Sequence, residues 1–176
     1  MDLETKLHPT TLALAQGDDA LAVSGYASLW GEPDGGGDIV ERGATLASLR
    51  RLAASGGRVR MLWQHDPHEP IGVWDEVRED GRGLHVRGRV LLDVDRGREA
   101  AALVRAGAID GLSIGYRTLR ATKDATGRRR LAEVELWEVS LVTFPMLASA
   151  RLAAKGAHPL REATLAVAEA RSRLKG

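Results

Sequence analysis

The sequence predicts an α+β fold that is mainly antiparallel β, a sheet or barrel of about six or seven strands flanked by two or three helices. Apolar and polar residues alternate in several segments, as they do in half-buried strands. Short turns rich in glycine and charged residues join these segments, which favours antiparallel neighbours because parallel strands need long crossover connections. Two other segments carry apolar residues at helical spacing.

The first part of the chain is predicted to hold two strands and one helix. Residues 1–18 are mixed and polar, which indicates an irregular arm or a first edge strand. Residues 20–30 (ALAVSGYASLW) are rich in β-formers and predict a strand, and a loop rich in Gly, Pro and Asp follows over 31–37. Regularly spaced leucines predict a helix over 44–54 that ends at Ser-Gly-Gly. The apolar run 59–63 (VRMLW) predicts a short buried strand.

The middle of the chain is predicted to hold a hairpin, a helix and a strand. Residues 71–77 and 83–91 alternate around a Glu-Asp-Gly-Arg-Gly turn, which predicts the hairpin. Residues 96–105 (RGREAAALVR) predict a helix with Asp95 as its N-cap. After a glycine-bounded turn, residues 112–119 (LSIGYRTL) predict the strand.

The last predicted strand is long and alternating, over 131–142 (LAEVELWEVSLV), and Pro145 ends it. The residues beyond it are rich in Ala and Arg and favour helix. We therefore expect three regions: an N-terminal arm over 1–18, one globular domain over 19–146, and an Ala/Arg-rich helical tail over 147–176.

The composition of the 176 residues excludes several classes of protein. There is no cysteine, so a disulfide framework, a thiolate zinc site and a cysteine nucleophile are excluded. A net charge of +1 gives no strong electrostatic field that would attract nucleic acid or a membrane surface. No stretch approaches the roughly 20 apolar residues of a membrane span. The arginine run 128–130 lacks interleaved aromatic residues and is interpreted as a solvated hairpin tip. Without a signal-peptide pattern, an intracellular protein with no nucleic-acid or membrane partner is expected.

Ser113 is a candidate nucleophile because Gly111 and Gly115 flank it in the segment GLSIGY. Glycines beside a nucleophile let a substrate backbone approach and free nearby amides to face an oxyanion. The spacing also matches the G-x-S-x-G motif of α/β-hydrolases, but that motif needs a strand before the serine and a helix after it. The predicted order here is the reverse. Taken alone, the segment also fits an ordinary hydroxyl at the start of a strand.

His65 is a candidate general base because it follows a predicted buried strand directly and precedes Pro67 and Pro70, which stiffen the loop. A general base needs such an anchored position at the edge of a cleft. The same position also suits a purely structural histidine. The remaining unassigned histidines are interpreted as surface or structural groups: His8, His85 and His158.

A metal site is an alternative interpretation of the same segment. His65 and His68 lie three residues apart, and Asp38 or Glu41 could supply a further ligand. No third ligand has a diagnostic spacing, so this interpretation is the weaker one.

Glu138 is the candidate third member of a catalytic set. If residues 131–142 alternate strictly, Glu138 and Ser140 lie on a mostly apolar face. A carboxylate beside a core needs a partner because an unpaired buried charge is costly, and an imidazole would serve. A surface ion pair is the alternative role. Glu135, on the opposite face, is the weaker candidate, and Ser140 is interpreted as a structural hydroxyl.

The ordered set of segments over residues 25–145 resembles the prohead protease family of tailed phages and gene transfer agents. The segments are GYASLW, GGDIVERGA, LWQHDPHEPIGVW, GLHVRGRV, LVRAGAIDGLSIGYR and LWEVSLVTFP. The resemblance implies a fold similar to herpesvirus assemblin, a closed or nearly closed antiparallel barrel with flanking helices. It implies Ser113 as nucleophile, His65 as general base and Glu138 as the third member, with no cofactor and no metal. The chain departs from the family after Pro145, where small residues are usual.

The resemblance also implies a biological role. Such a serine endopeptidase acts inside the immature capsid in the bacterial cytoplasm, cutting the scaffolding segment from the major capsid protein and also cutting itself. Its expected partners are the major capsid protein and further copies of itself. Two alternatives stand beside this role. A non-catalytic capsid-assembly module would keep the fold without bringing Ser113, His65 and Glu138 together, and a metal-dependent hydrolase would use His65 and His68.

Overall fold

The computed structural model describes residues 4–9, 16–17 and 19–144, with side chains described over 19–144. These residues form nine strands and two helices. In chain order they are β1 (Glu4–Pro9), β2 (Gln16–Gly17), β3 (Ala20–Leu29), β4 (Ile39–Val40), α1 (Leu46–Ala54), β5 (Arg60–Trp63), β6 (Asp66–Glu79), β7 (Gly83–Leu91), α2 (Asp95–Arg105), β8 (Gly111–Lys123) and β9 (Arg129–Val142). Neither helix in this part of the chain is long and apolar enough to cross a bilayer.

All nine strands belong to one mixed sheet. The order is β1-β8-β9-β5-β6-β7-β3-β2, and β4 pairs with β9 beside this path. Most pairs are antiparallel, but β9 runs parallel to both β5 and β4. The parallel β5–β9 pair is possible because the intervening chain includes β6, β7, α2 and β8, which return it to the same end of the sheet.

The sheet curls into a half-barrel, so the predicted closed or nearly closed barrel was wrong. A closed barrel needs hydrogen bonds between the first and last strands. Among the described strands the path runs from β1 to β2 without such a ladder, although β1 comes close to β3 across the open side. The mainly antiparallel β-architecture with flanking helices was predicted correctly.

Most predicted elements are present with shifted ends. The hairpin is β6–β7, and β6 begins earlier than predicted, at Asp66. The strand count exceeds the prediction because β2 and β4 are two-residue strands and part of the arm forms β1. The predicted Asp95 cap was wrong: Val94 is the N-cap, and the Asp95 carboxylate accepts a 2.5 Å hydrogen bond from Arg98 instead of from backbone amides. The predicted tail over 147–176 lies outside the described residues, and the division into three regions stays a prediction.

The core fills the concave side of the sheet, and strands β8 and β9 give it one wall. Leu112, Ile114 and Tyr116 of β8 are buried there, each 1% exposed or less. They pair with Leu141, Val139 and Leu136 of β9. The alternate residues of β8, including Ser113 and Gly115, therefore lie on the other face of the same strand.

A β-bulge in β9 changes which residues face the core. Gly115 pairs with Glu138 but the next residue, Tyr116, pairs with Leu136, so Trp137 has no opposite partner. A bulge inserts one residue and reverses the alternation beyond it. Glu138 therefore lies on the face opposite Leu136, and the predicted strict alternation along this strand was wrong.

Candidate active site

Strand β9 brings the candidate residues together because it lies between β8 and β5. On one side Ser113 of β8 is paired with Ser140. On the other side Leu62 of β5 is paired with the same Ser140. The chain leaves β5 at Trp63 and reaches His65 two residues later. His65 and Ser113 thus meet over β9 from opposite sides.

A continuous chain of hydrogen bonds joins Ser113, His65 and Glu138. Ser113 Oγ lies 2.7 Å from His65 Nε2. His65 Nδ1 lies 2.6 Å from Glu138 Oε1. Since an ionised carboxylate only accepts hydrogen bonds, the proton sits on Nδ1, and Nε2 is left to accept the hydroxyl proton of Ser113. This is the arrangement in which an imidazole can remove a proton from a serine.

Ser140 extends this chain, although its sequence position predicts only a structural hydroxyl. Its Oγ donates to Glu138 Oε2 over 2.5 Å. The same oxygen accepts a hydrogen bond from the backbone N–H of His65 over 3.2 Å. Ser140 therefore fixes both the free carboxylate oxygen and the backbone of the histidine. The available signal in the sequence was its i, i+2 spacing from Glu138, which puts both side chains on one face of a strand.

The backbone at His65 is held in an unusual conformation. Gln64 and His65 have φ values of 53° and 65°, in the left-handed region that non-glycine residues rarely adopt. The backbone N–H of Gln64 donates to Leu141 O over 2.9 Å. The Gln64 side-chain amide donates to Thr143 Oγ1 and accepts from the Thr143 N–H, the latter over 3.2 Å. These contacts with the end of β9 hold a strained turn that aims the imidazole at Ser113.

Gly115 leaves the space that the Glu138 carboxylate occupies. A Cβ atom at this position would lie 2.0 Å from Glu138 Oε1, well inside any permitted contact. The sequence predicts that the glycines of GLSIGY allow a substrate backbone to approach and free nearby amides to face an oxyanion. For Gly115 the structure gives a different reason, because any side chain here would displace the carboxylate.

The site is closed on the serine side and partly open on the histidine side. Ser113 is 0% exposed and Glu138 3%. The His65 side chain keeps 19% of its surface exposed. The buried carboxylate is compensated by the imidazole and by the Ser140 hydroxyl, as a buried charge must be.

The other sequence candidates lie outside this cluster. Glu135 forms an ion pair with Arg117 at 2.8 Å. His68 is exposed, and its backbone N–H donates to Asp66 Oδ1 over 2.8 Å. His85 packs against the Tyr26 ring in the β3–β7 region, where burial lowers the pKa of the histidine.

The two proposed metal ligands besides the histidines are engaged elsewhere. Asp38 lies near Arg129, with 3.6 Å between the charged groups, and Glu41 accepts from Arg130 over 2.7 Å. Within residues 19–144, no three His, Asp or Glu side chains gather into a group that could hold a metal ion. The convergence that the metal-hydrolase alternative requires is therefore not found in that range. Ser113 also lies inside a strand and not on a strand-to-helix turn, unlike the α/β-hydrolase motif.

Comparison with known proteins also indicates a serine protease. A family model described as caudovirus prohead serine protease matches residues 9–161. The chain is 34% identical over 133 residues to the prohead protease of Enterobacteria phage HK97, covering 74% of this chain and 58% of that protein. It is 28% identical over 155 residues to the capsid polyprotein of Pseudomonas phage PAJU2, covering 84% of this chain and 22% of that protein. The chain thus spans just over half of the first relative and about a fifth of the second.

Among solved structures, the bacteriophage T4 capsid assembly protease has a similar fold. The TM-score is 0.66 at 16% sequence identity, and the match covers 80% of this chain and 97% of that structure. At 16% identity this comparison supports the half-barrel fold alone. The chemistry has to be inferred from the geometry of the candidate site.

Proposed function

This chain belongs to the caudovirus prohead serine protease family, and from that membership we propose that it is an endopeptidase with Ser113 as nucleophile, His65 as acid and base, and Glu138 as the orienting carboxylate. The observation that carries this proposal is the unbroken hydrogen-bond chain from Ser113 Oγ through both ring nitrogens of His65 to Glu138 Oε1. A capsid-assembly module without catalysis has no need for these three side chains to meet in this order.

The proposed reaction uses only protein groups and water. Ser113 Oγ attacks the scissile carbonyl carbon while His65 Nε2 takes the hydroxyl proton. The tetrahedral intermediate collapses when the C–N bond breaks, and His65 returns the proton to the leaving amine. A water molecule then attacks the acyl-enzyme with its proton going to His65, which gives it back to Ser113 as the acid product leaves. Glu138 stabilises the imidazolium that forms in each half of the cycle.

Ser140 is proposed as a positioning residue. Its hydroxyl neither attacks the substrate carbonyl nor transfers a proton in this mechanism, but it binds Glu138 and the backbone of His65. Hydrogen bonds of this kind fix the orientation of a catalytic carboxylate and reduce the number of geometries that the imidazole samples.

The proposed substrate is the major capsid protein with its scaffolding segment, cut inside the immature capsid in the bacterial host. The names of three similar proteins support this assignment: a prohead protease, a capsid polyprotein and a capsid assembly protease. We further propose that copies of the chain associate and cut one another, as the family resemblance implies.

The test is co-expression of this chain with its major capsid protein, followed by mass measurement of the capsid protein in assembled shells. Ser113→Ala should leave the capsid protein at full length, since losing the nucleophile of a serine protease costs about 10⁶-fold in turnover. Its effect on the free energy of unfolding should stay near 1 kcal/mol.

Ser28→Ala is the matched control for this test. Ser28 is also a serine at 0% exposure on a strand, and its Oγ has no hydrogen-bond partner among the described residues. It should process the capsid protein normally. Shortened capsid protein in the Ser113→Ala shells, in a host without a protease that makes the same cut, would refute the proposed nucleophile.

A further inference from the structure

The strand that carries Ser113 is paired along both edges. One edge of β8 pairs with β9, which holds Glu138 and Ser140. The other edge pairs antiparallel with β1 of the N-terminal arm. In that ladder Leu7 is opposite Ser113 and Thr5 is opposite Gly115. A six-residue segment of the chain itself thus lies along the nucleophile strand, in register with the nucleophile.

An extended peptide that is to be cut at Ser113 needs a place beside this strand. Extended peptides commonly bind by adding a strand to a sheet edge, where main-chain hydrogen bonds supply affinity. The β9 edge is closed to such a peptide, because removing β9 would dismantle the pairing that holds Glu138 and Ser140. The β1 edge is the remaining one. Ser113 is 0% exposed, so a substrate carbonyl reaches its Oγ only after some part of the present arrangement moves.

β1 is a short strand at one end of the sheet path, and in that path it pairs with β8 alone. A six-residue edge strand that is hydrogen-bonded along one side opens at lower cost than a strand inside the sheet.

The comparison with the family adds an independent observation. The family model matches residues 9–161, so it begins at the last residue of β1. All of β1 except Pro9 therefore lies outside the matched range, whereas β8 and β9 lie wholly within it.

We propose that the β1 edge of β8 is the binding site for an extended substrate segment, and that β1 occupies it as an internal substrate mimic. This inference rests on the proposed function. The substrate segment binds antiparallel to β8, with an apolar residue at the position that Leu7 now holds. β1 must unpair from β8 before the substrate binds, so the free enzyme is partly self-inhibited.

The test compares the full chain with a variant lacking residues 1–9, using a fluorophosphonate that labels Ser113. The Oγ–phosphorus bond forms as fluoride leaves, and His65 takes the hydroxyl proton. Removing β1 should raise the labelling rate by about tenfold or more, since the competent fraction of molecules limits the apparent rate. A peptide of residues 1–10, added to the shortened variant, should slow labelling competitively. A variant lacking only residues 1–3, which precede β1, is the control and should label like the full chain.

A second variant guards against misfolding of the shortened chain. In an antiparallel ladder, every second residue of a strand donates its backbone N–H to the neighbouring strand. One of the two consecutive residues Lys6 and Leu7 therefore donates to β8. Because proline has no N–H, the double substitution Lys6→Pro with Leu7→Pro removes that hydrogen bond. It should also label faster, with an unchanged melting temperature for the rest of the fold. Equal labelling rates in all folded variants would overturn this inference alone. No labelling in any variant, including the full chain, would overturn the proposed function and the inference with it.

Discussion

At the scale of single residues, the site depends on one hydroxyl that joins two parts of it. Ser140 bonds the Glu138 oxygen that His65 does not use, and it also bonds the His65 backbone. The backbone there is in the left-handed region, so the imidazole has no regular secondary structure to hold it. Hydrogen bonds with Ser113, Glu138 and Ser140 therefore help to hold the imidazole in position.

Ser140→Ala should lower kcat while leaving KM nearly unchanged. A hydrogen bond to a charged group contributes about 1.5–3 kcal/mol, so the loss should be about tenfold to 100-fold. Ser140→Thr, which keeps the hydroxyl, should recover much of kcat. Steady-state kinetics on a capsid-protein peptide, with melting temperatures for both variants, measures this. A Ser140→Ala enzyme with normal kcat, or one whose loss tracks only its melting temperature, would contradict the positioning role.

At the scale of strands, the β8–β9 pair shows what sequence reasoning could and could not reach. Ser113, His65 and Glu138 were all named from local patterns and from the family resemblance. The direction of Glu138 was not predictable, because the bulge at Trp137 depends on how β9 pairs with β8, a contact between distant parts of the chain. The parallel β5–β9 pair and the open barrel also depend on pairing between distant parts of the chain, so local sequence patterns did not predict them. The β6–β7 hairpin was predictable because its signal lies in its own turn.

The bulge and Gly115 act together, and this gives a prediction for the strand pair. Gly115→Ala should push the Glu138 carboxylate away from His65, since the added Cβ would lie 2.0 Å from Oε1. A displacement of about 1 Å costs about 10²-fold in turnover. Gly81→Ala is the matched control, because a Cβ there meets nothing within 4 Å. The measurement is the rate of Ser113 labelling and of peptide cleavage for the two variants. Equal rates would show that the reaction does not require the Glu138 carboxylate beside His65.

At the scale of the whole molecule, one carboxylate at the β6–β7 turn links three strands of the half-barrel. Asp80 accepts hydrogen bonds from the backbone N–H groups of Arg82, at 2.8 Å, and Gly83, at 3.1 Å. It also accepts from the Tyr26 hydroxyl of β3 over 2.9 Å. Three strands, β3, β6 and β7, meet at this residue. It lies outside the hydrogen-bond chain at Ser113, so it can be changed to test the stability of the fold separately from catalysis.

The charge on Asp80 should make the stability of the fold depend on pH. The backbone N–H of Arg82 contributes most to lowering the pKa of Asp80 to about 2, from an ordinary value of 3.8. Because the folded pKa is the lower one, the stabilisation is complete above about pH 4 and is lost as the pH falls from there toward about 2. Asp80→Asn should therefore lower the melting temperature at pH 7, and the difference from the unmodified chain should shrink between pH 4 and pH 2. Thermal unfolding of both proteins across this range is the measurement, with labelling of Ser113 at pH 7 as the check that the site is intact. A difference in melting temperature that stays constant down to pH 2 would mean that the carboxylate contributes no charge-dependent stability.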